Sequence, residues 1–227
     1  EFAFGVTNVN PHYGATHNPW DTERITGGSS GGSGAALAAG LCAFSLGSDT
    51  GGSVRIPAAL CGVVGLKPTY GRVSRHGVLP LAWSVDHVGP MARSALDAAL
   101  VLQAIAGRDP RDDTSSDMPV PDYASALRAD VRGLRIGVPW HFVRGDVAPE
   151  VLTSFNSALD ILTGLGASVT DVILPRVRLA RALFSSIVLP EAFSIHERHL
   201  KSRADDYGPD VRARLELDQV CVDEGLD

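Results

Sequence analysis

The sequence is poor in cysteine and almost without lysine. Cys42, Cys61 and Cys221 are the only cysteines among 227 residues, and no two of them form a Cys-x-x-Cys pair. Their odd number and wide spacing give neither a disulfide framework nor a thiolate metal site. This composition favours a reducing compartment, and we predict a cytoplasmic location. The only lysines are Lys67 and Lys201.

Basic charge is scarce as well. Lysine and arginine together number 20, against 26 aspartates and glutamates, which gives a net charge of −6. Nucleic-acid backbones and anionic membranes both attract clustered basic side chains. We therefore predict neither nucleic acid nor a membrane as a partner. With 44% hydrophobic and 20% charged residues, the chain still has the composition of a folded protein with a core.

Long hydrophobic runs are also missing. No charged residue lies between Arg24 and Asp49, but this stretch begins with glycine and serine, and only residues 35–46 are apolar. A membrane-spanning helix needs about 20 apolar residues, so we predict a buried helix over residues 31–45 instead. The sequence has no initiator methionine and no signal peptide. We expect it to begin within a longer protein.

The rest of the chain alternates between strand and helix patterns. Ser94, followed by Asp97 and by apolar residues up to Gly107, indicates a capped helix. The further expected elements are a turn at 49–53, strands at 63–66, 134–138 and 168–174, a loop at 109–121, a helix at 149–164, and helical segments interrupted at Pro190 and Pro209. This alternation predicts an α/β fold with a mixed sheet core covered by helices.

The run GGSSGGSG, residues 27–34, precedes the first predicted helix and allows four interpretations. A phosphate-binding loop needs Lys-Ser/Thr after its last glycine, where this sequence has Ala35 and Ala36. A dinucleotide fingerprint needs a preceding hydrophobic strand, and its glycine spacing fails at Leu37. A flexible linker would continue into polar sequence rather than into an apolar helix. A serine hydrolase site is the interpretation that these tests favour.

Two serines compete as the nucleophile of such a site. Residues 27–31 match the Gly-x-Ser-x-Gly nucleophile elbow, which would make Ser29 the attacking group. That elbow requires a hydrophobic strand just before it, and residues 19–24, PWDTER, are not one. Ser53 follows two glycines, which let the backbone turn its N–H groups toward a developing oxyanion. We favour Ser53 because this assignment uses both glycine clusters.

A resemblance to the amidase signature family is carried by residues 27–74, GGSSGGSGAALAAGLCAFSLGSDTGGSVRIPAALCGVVGLKPTYGRVS. The flanking sequences THNPWDTERIT and SVDHVGPMARSALDAALVLQAIAGRDPRD extend it. The match is strong over residues 18–112 and diffuse over residues 133–227. Within the family, the chain is similar to amidases close to the A subunit of tRNA-dependent amidotransferases. We therefore expect residues 1–227 to be part of one amidase domain.

The resemblance implies a Ser-Ser-Lys triad. Ser53, in DTGGSVR, would be the nucleophile, and Ser29, after a cis peptide bond from Gly28, would link it to a lysine base. A serine hydroxyl is a weak nucleophile until such a base removes its proton. The N–H groups of the oxyanion hole would come from Thr50, Gly51, Gly52 and Ser53 itself. The loop would be supported by Asp49 and Arg55.

The chain departs from the family at the lysine. In the family the base lies upstream, in a Lys-Asp motif that residues 1–227 do not contain. Lys67, in GLKPTYG, matches a structural stretch of the family, and Lys201 lies in a charged segment typical of an exposed helix. We therefore predict that this chain alone does not hydrolyse amides, although its parent protein does.

The resemblance further implies hydrolysis of a small-molecule amide, at a non-peptide C–N bond, with no metal and no cofactor. Two alternatives stay open. One is the glutaminase A subunit of a tRNA-dependent amidotransferase, which passes ammonia to a partner subunit. The other is a catalytically inactive fragment or interaction module that lacks the base. A second copy in a homodimer, or an amidotransferase partner subunit, would be the protein partner of an active enzyme.

Overall fold

A computed structural model describes residues 1–127, 130–145 and 147–223 of this mixed α/β chain. One compact unit comprises residues 1–124 and the chain from residue 185 onward, and a second comprises residues 125–184. The elements are β1 (Val9–Asn10), β2 (Gly14–Ala15), β3 (His17–Asn18), β4 (Asp21–Ile25), α1 (Gly31–Ala38), β5 (Phe44–Ser48), α2 (Arg55–Cys61), β6 (Val64–Gly65), β7 (Val88–Ala92), α3 (Ala95–Ile105), β8 (Arg135–Val138), α4 (Trp140–Val143), α5 (Pro149–Gly164), β9 (Ser168–Asp171), α6 (Ala180–Arg203) and α7 (Pro209–Asp223). Of the helices described, none is both long and apolar enough to cross a bilayer.

The centre of the first unit is an antiparallel sheet in the order β5-β7-β6. β5 pairs with β7 over its whole length, ending with Ser48 opposite Val88. α1 and α2 contact each other and this sheet. The buried core between them consists of Leu37, Val54, Ala58 and Met91. Burial of each large apolar side chain contributes about 1.5–3 kcal/mol, so this core holds the point where β5 ends and α2 begins.

A second hydrophobic cluster joins α6 and α7 to the segment before β7. Its buried members are Leu81, Ala82, Val188, Ala192, Tyr207, Val211 and Leu215. The start of the chain is attached to α7 by hydrogen bonds. The Gly208 N–H donates to the Glu1 carboxylate at 3.1 Å, and the Arg214 guanidinium donates to the Phe4 carbonyl at 3.2 Å. The segment before β1 is therefore anchored at this cluster.

The second unit contains a β-α-β arrangement. β8 and β9 pair in parallel, from Arg135 opposite Ser168 to Val138 opposite Asp171. α5 connects them, since parallel neighbours cannot be joined by a tight turn and need a crossover. The strand, helix and strand predicted over residues 134–174 are confirmed, although β9 ends three residues earlier than expected.

Of the helix predicted from the Ser94 cap and the helix predicted over residues 31–45, the first is confirmed and the second is too long. α3 is confirmed together with its cap, because the Ser94 side chain accepts the Asp97 N–H. The helix predicted over residues 31–45 is too long. α1 ends at Ala38, Gly40 takes a left-handed φ of 73°, and residues 44–48 pair with β7 instead. At residues 44–48, pairing with β7 is more favourable than a continuation of the helix, despite the helix propensity of the apolar run.

Of the two prolines predicted to interrupt helices, one stands at a helix start and the other lies inside a continuous helix. Pro209 begins α7, where its missing N–H would have no helical partner anyway. Pro190 lies inside α6, which continues past it. The predicted interruption at Pro190 is therefore wrong, and the packing of Val188 and Ala192 in the second cluster explains why the helix persists around it.

Two adjacent glycines at the start of α1 give a matched test of packing. A Cβ atom on Gly31 would lie 2.7 Å from the Asn8 amide and would also collide with Thr26 Oγ1, whereas one on Gly32 would meet nothing within 4 Å. We expect Gly31→Ala to lower the free energy of unfolding by about 1–3 kcal/mol through overpacking. Gly32→Ala should raise it by about 0.5–1 kcal/mol through helix propensity. Urea unfolding measures both, and equal effects would contradict the packing of Asn8 against α1.

Candidate active site

Residues 49–53 form a tight turn between β5 and α2. The turn starts where the Asp49 and His87 backbones exchange hydrogen bonds of 2.8 and 3.2 Å. Gly52 has a φ of 135°, a conformation that side-chain-bearing residues rarely adopt. The turn delivers Ser53 to the start of α2, where Ser53 is 9% exposed. The predicted turn is confirmed, and its geometry depends on Gly52.

The Asp49 carboxylate holds the turn from inside. Its side chain is fully buried. It accepts the backbone N–H groups of Gly52 at 2.8 Å, Val54 at 3.2 Å and Arg55 at 3.4 Å. The Arg55 side chain donates to its two oxygens at 2.9 and 3.0 Å. An ionised carboxylate only accepts hydrogen bonds, so this whole set of donors suits the charged form.

The surrounding charges keep Asp49 ionised. Burial alone would raise the pKa of this carboxyl. The pKa nevertheless falls to about 2, because the hydrogen bond and charge of Arg55, the charge of Lys67 and the Val54 N–H together outweigh the effect of burial. The hydrogen bond that Arg55 donates to Asp49 in turn raises the pKa of Arg55 above its ordinary value. Asp49 and Arg55 are therefore an ion pair at neutral pH.

Several N–H groups of the turn have no acceptor among the residues that the structure describes. The Gly52 N–H donates to Asp49 and so supports the turn itself. Within the described residues, the N–H groups of Thr50, Gly51 and Ser53 donate to no protein atom. Unpaired N–H groups held by a rigid turn are the donors that stabilise an oxyanion. The turn therefore offers Thr50, Gly51 and Ser53 for this role, and Gly52 as a structural donor.

Ser29 lies beside this turn. The N–H of the following residue, Ser30, donates to the Ser53 carbonyl at 3.1 Å. The peptide bond between Gly28 and Ser29 is cis, as the resemblance implies. A Cβ atom on Gly28 would lie 2.6 Å from the Gly5 carbonyl oxygen, so the N-terminal segment contacts the same backbone. The fold thus brings together two serines that are far apart in the sequence.

A second support of the turn, Asp86, was not predicted from the sequence. The Thr50 hydroxyl donates to Asp86 Oδ1 at 2.5 Å. The Leu81 and Ala82 N–H groups donate to Asp86 Oδ2 at 2.8 and 2.9 Å. This carboxylate is 8% exposed, and it ties the turn to the second hydrophobic cluster. The signal in the sequence was a single acidic residue within an otherwise uncharged stretch, AWSVDHVGPMA.

The structure also places Lys67 at the turn. Lys67 Nζ donates to the Thr50 carbonyl at 3.0 Å and lies 3.5 Å from Asp49 Oδ1. Both partners are acceptors, so Nζ acts as a donor, as an ammonium does. This agrees with the expectation that Lys67 is not the base. Lys201 pairs with Glu197 at the surface, where an exposed lysine was predicted.

A cavity of about 250 Å³ opens next to this region. Its wall includes Ser48, Trp83, Asp86 and His87. Burial lowers the pKa of His87, which favours the neutral imidazole.

No group of three or more histidine, cysteine, aspartate or glutamate side chains that could hold a metal occurs in the part of the chain that the structure describes. A serine, a second serine and unpaired N–H groups are the components of acyl-transfer chemistry.

Comparison with known sequences agrees with this arrangement. The profile of the Amidase family matches residues 1–224. The A subunit of the glutamyl-tRNA(Gln) amidotransferase of Moorella thermoacetica is 45% identical over 243 residues, which cover 99% of this chain and 50% of that protein. The chain therefore spans about half the length of the curated relatives it matches.

Solved structures share the fold. A structure described as an inhibitor-bound vestigial protein complex, which reveals the origins of an s-triazine catabolic enzyme, superimposes with a TM-score of 0.89 at 44% identity, over 95% of this chain and 46% of that one. The native peptide amidase of Stenotrophomonas maltophilia gives a TM-score of 0.75 at 36% identity, over 100% of this chain and 47% of that one. Because the family profile covers nearly all of its residues, this chain belongs to the amidase signature family.

Proposed function

We propose that the protein containing this chain hydrolyses a carboxylic amide through an acyl-enzyme on Ser53. The observation that carries the proposal is the position of Ser53 on a turn with unpaired N–H groups, where its carbonyl accepts the N–H of Ser30, the residue after Ser29. Acyl transfer needs a nucleophile, a path for its proton and donors at the developing oxyanion. The proposal is supported by the position of Ser53 just before α2 and by its backbone contact with Ser30.

The proposed reaction has two steps. In acylation, Ser53 Oγ bonds to the amide carbon and loses its proton through the Ser29 hydroxyl to a base. The N–H groups of Thr50, Gly51 and Ser53 stabilise the negative oxygen, and the C–N bond breaks as the leaving nitrogen takes up that proton. In deacylation, water attacks the ester and passes a proton along the same route. The carboxylic acid leaves and Ser53 recovers its proton.

A lysine outside this chain is the base in this proposal. Lys67 binds acceptors of the turn, and Lys201 pairs with Glu197 at the surface. Neither is available to take a proton from Ser29. We therefore propose a Ser-Ser-Lys triad completed upstream, a small-molecule linear amide as substrate, no cofactor and a cytoplasmic location. The 227-residue chain alone is expected to be inactive.

A glutaminase is the second candidate function. The 45% identity to the A subunit of a glutamyl-tRNA(Gln) amidotransferase favours it. Such a glutaminase uses the same acyl-enzyme but passes the released ammonia to a partner protein. Co-purification with a B-type subunit encoded beside this gene would favour the glutaminase. A free homodimer that hydrolyses amides would favour the amidase.

Labelling with a serine-directed phosphonate tests the proposed function. We expect the full-length protein to be labelled at Ser53, because an activated hydroxyl attacks phosphorus readily. Mass-spectrometric peptide mapping locates the adduct. The 227-residue chain, treated in parallel, should remain unlabelled.

The other outcomes of this experiment are equally informative. An adduct on Ser29 would assign the nucleophile to the Gly-x-Ser-x-Gly elbow. A full-length protein that takes up no label would support the inactive interaction module. Labelling and amide hydrolysis by the isolated chain, dependent on Ser53, would refute the need for an upstream base.

A further inference from the structure

Lys67 occupies a position that the proposed triad does not explain. It lies shortly after β6, and its side chain is only 22% exposed. Its Nζ donates to the Thr50 carbonyl oxygen at 3.0 Å, and its distance to Asp49 Oδ1 is longer, at 3.5 Å. A half-buried ammonium therefore lies on the carbonyl oxygen of the peptide group between Thr50 and Gly51.

Neutralisation of Asp49 does not by itself account for this placement. Arg55 already donates to both oxygens of that carboxylate. Hydrogen-bonded pairs of ammonium and carboxylate are typically about 2.7–2.9 Å long, and Lys67 is farther away than that. The shorter contact of Lys67 is with the neutral Thr50 carbonyl, so its charge acts directly on this peptide group as well as on Asp49.

The same peptide group contains the Gly51 N–H, which is unpaired in the described structure. A cation on the carbonyl oxygen draws electron density from the amide and strengthens its N–H as a donor, because linked hydrogen bonds polarise one another. We propose that Lys67 is a positioning residue that polarises the Thr50–Gly51 peptide toward the oxyanion. This inference rests on the proposed function, in which Gly51 is an oxyanion donor.

Kinetics of lysine variants in the full-length protein test this role. Lys67→Met removes the charge at similar length, Lys67→Arg retains a charge, and Lys201→Met is the matched control at the other lysine. We expect Lys67→Met to lower kcat about tenfold, less than the 10²–10³ lost with a whole oxyanion donor. KM should stay near its wild-type value, because the interaction strengthens only in the transition state. Lys67→Arg should recover most of the loss, and Lys201→Met should behave as wild type.

Inhibitor binding separates polarisation from a merely structural role. A boronic acid forms a bond to Ser53 Oγ and becomes a tetrahedral anion, whereas an uncharged substrate-like amide develops no such charge. We expect Lys67→Met to bind the boronic acid about tenfold more weakly, in proportion to the lost transition-state stabilisation. The affinity for the uncharged amide should not change. A structural role would weaken the binding of both ligands alike.

The results distinguish this inference from the proposed function. A wild-type protein that neither hydrolyses amides nor binds the boronic acid would refute the proposed function and this inference with it. An active wild type, combined with unchanged kcat in Lys67→Met or with equal losses for both ligands, would refute the inference alone. If Lys67→Met does not fold at the assay temperature, Lys67→Gln supplies the same neutral comparison.

Discussion

Replacing Ser53 with alanine in the full-length protein is expected to lower kcat for amide hydrolysis by about 10⁴-fold or more, as removal of a serine nucleophile does elsewhere. The other hydroxyl of the turn, on Thr50, is bound to Asp86 and cannot replace it. Alanine should preserve the turn, because residue 53 is held through its carbonyl by the Ser30 N–H. Ammonia release at saturating substrate measures kcat.

The neighbouring serines provide the control for this experiment. Ser29→Ala keeps the nucleophile but removes its proton path, so a loss of about 10²–10⁴-fold is expected. Ser30→Ala removes a hydroxyl that donates to the Ser48 carbonyl at 3.3 Å, and kcat should stay near the wild-type value. Equal losses at residues 29 and 30, or an active Ser53→Ala variant, would contradict the roles proposed for both serines.

Local signals in the sequence predicted those parts of the fold whose causes are also local. The Ser94 cap of α3 and the start of α5 at Pro149 each depend on residues within one helical turn. The end of α1 depends on a competition between helix and strand, because residues 44–48 pair with β7 much later in the chain. No pattern within residues 31–45 contains that information, and the predicted helix was therefore too long.

The candidate site likewise has features with local causes and features that depend on distant residues. Ser29, Ser53 and residues 49–53 stand in contiguous motifs, so the sequence alone could suggest the roles proposed for them. Lys67 and Asp86 meet Thr50 from 17 and 36 positions away. A motif specifies residue types at given spacings, but it does not specify which distant side chain contacts the turn. The contacts of Lys67 and Asp86 with this turn therefore emerge only from the three-dimensional structure.

Removal of the Asp49 charge is expected to cause the largest loss of stability at the site. Asp49→Asn leaves Arg55 and Lys67 without their anionic partner. Loss of one member of a buried pair costs about 3–5 kcal/mol, and because Arg55 is half exposed we expect about 2–3 kcal/mol. Urea unfolding at neutral pH measures this change. The exposed Asp21–Arg24 pair is the control, and Asp21→Asn should change the free energy of unfolding by less than about 1 kcal/mol.

The pH dependence of this loss identifies its origin. The pKa of Asp49 falls from an ordinary 3.8 to about 2 on folding, so the folded protein binds this proton more weakly than the unfolded chain. The resulting stabilisation, about 2 kcal/mol, is complete above the pKa of the unfolded state and is lost as the pH falls from about 4 toward 2. The stability difference between wild type and Asp49→Asn should therefore narrow over that interval. A difference independent of pH would mean that Asp49 is not held as a buried anion, and the turn would need another explanation for its shape.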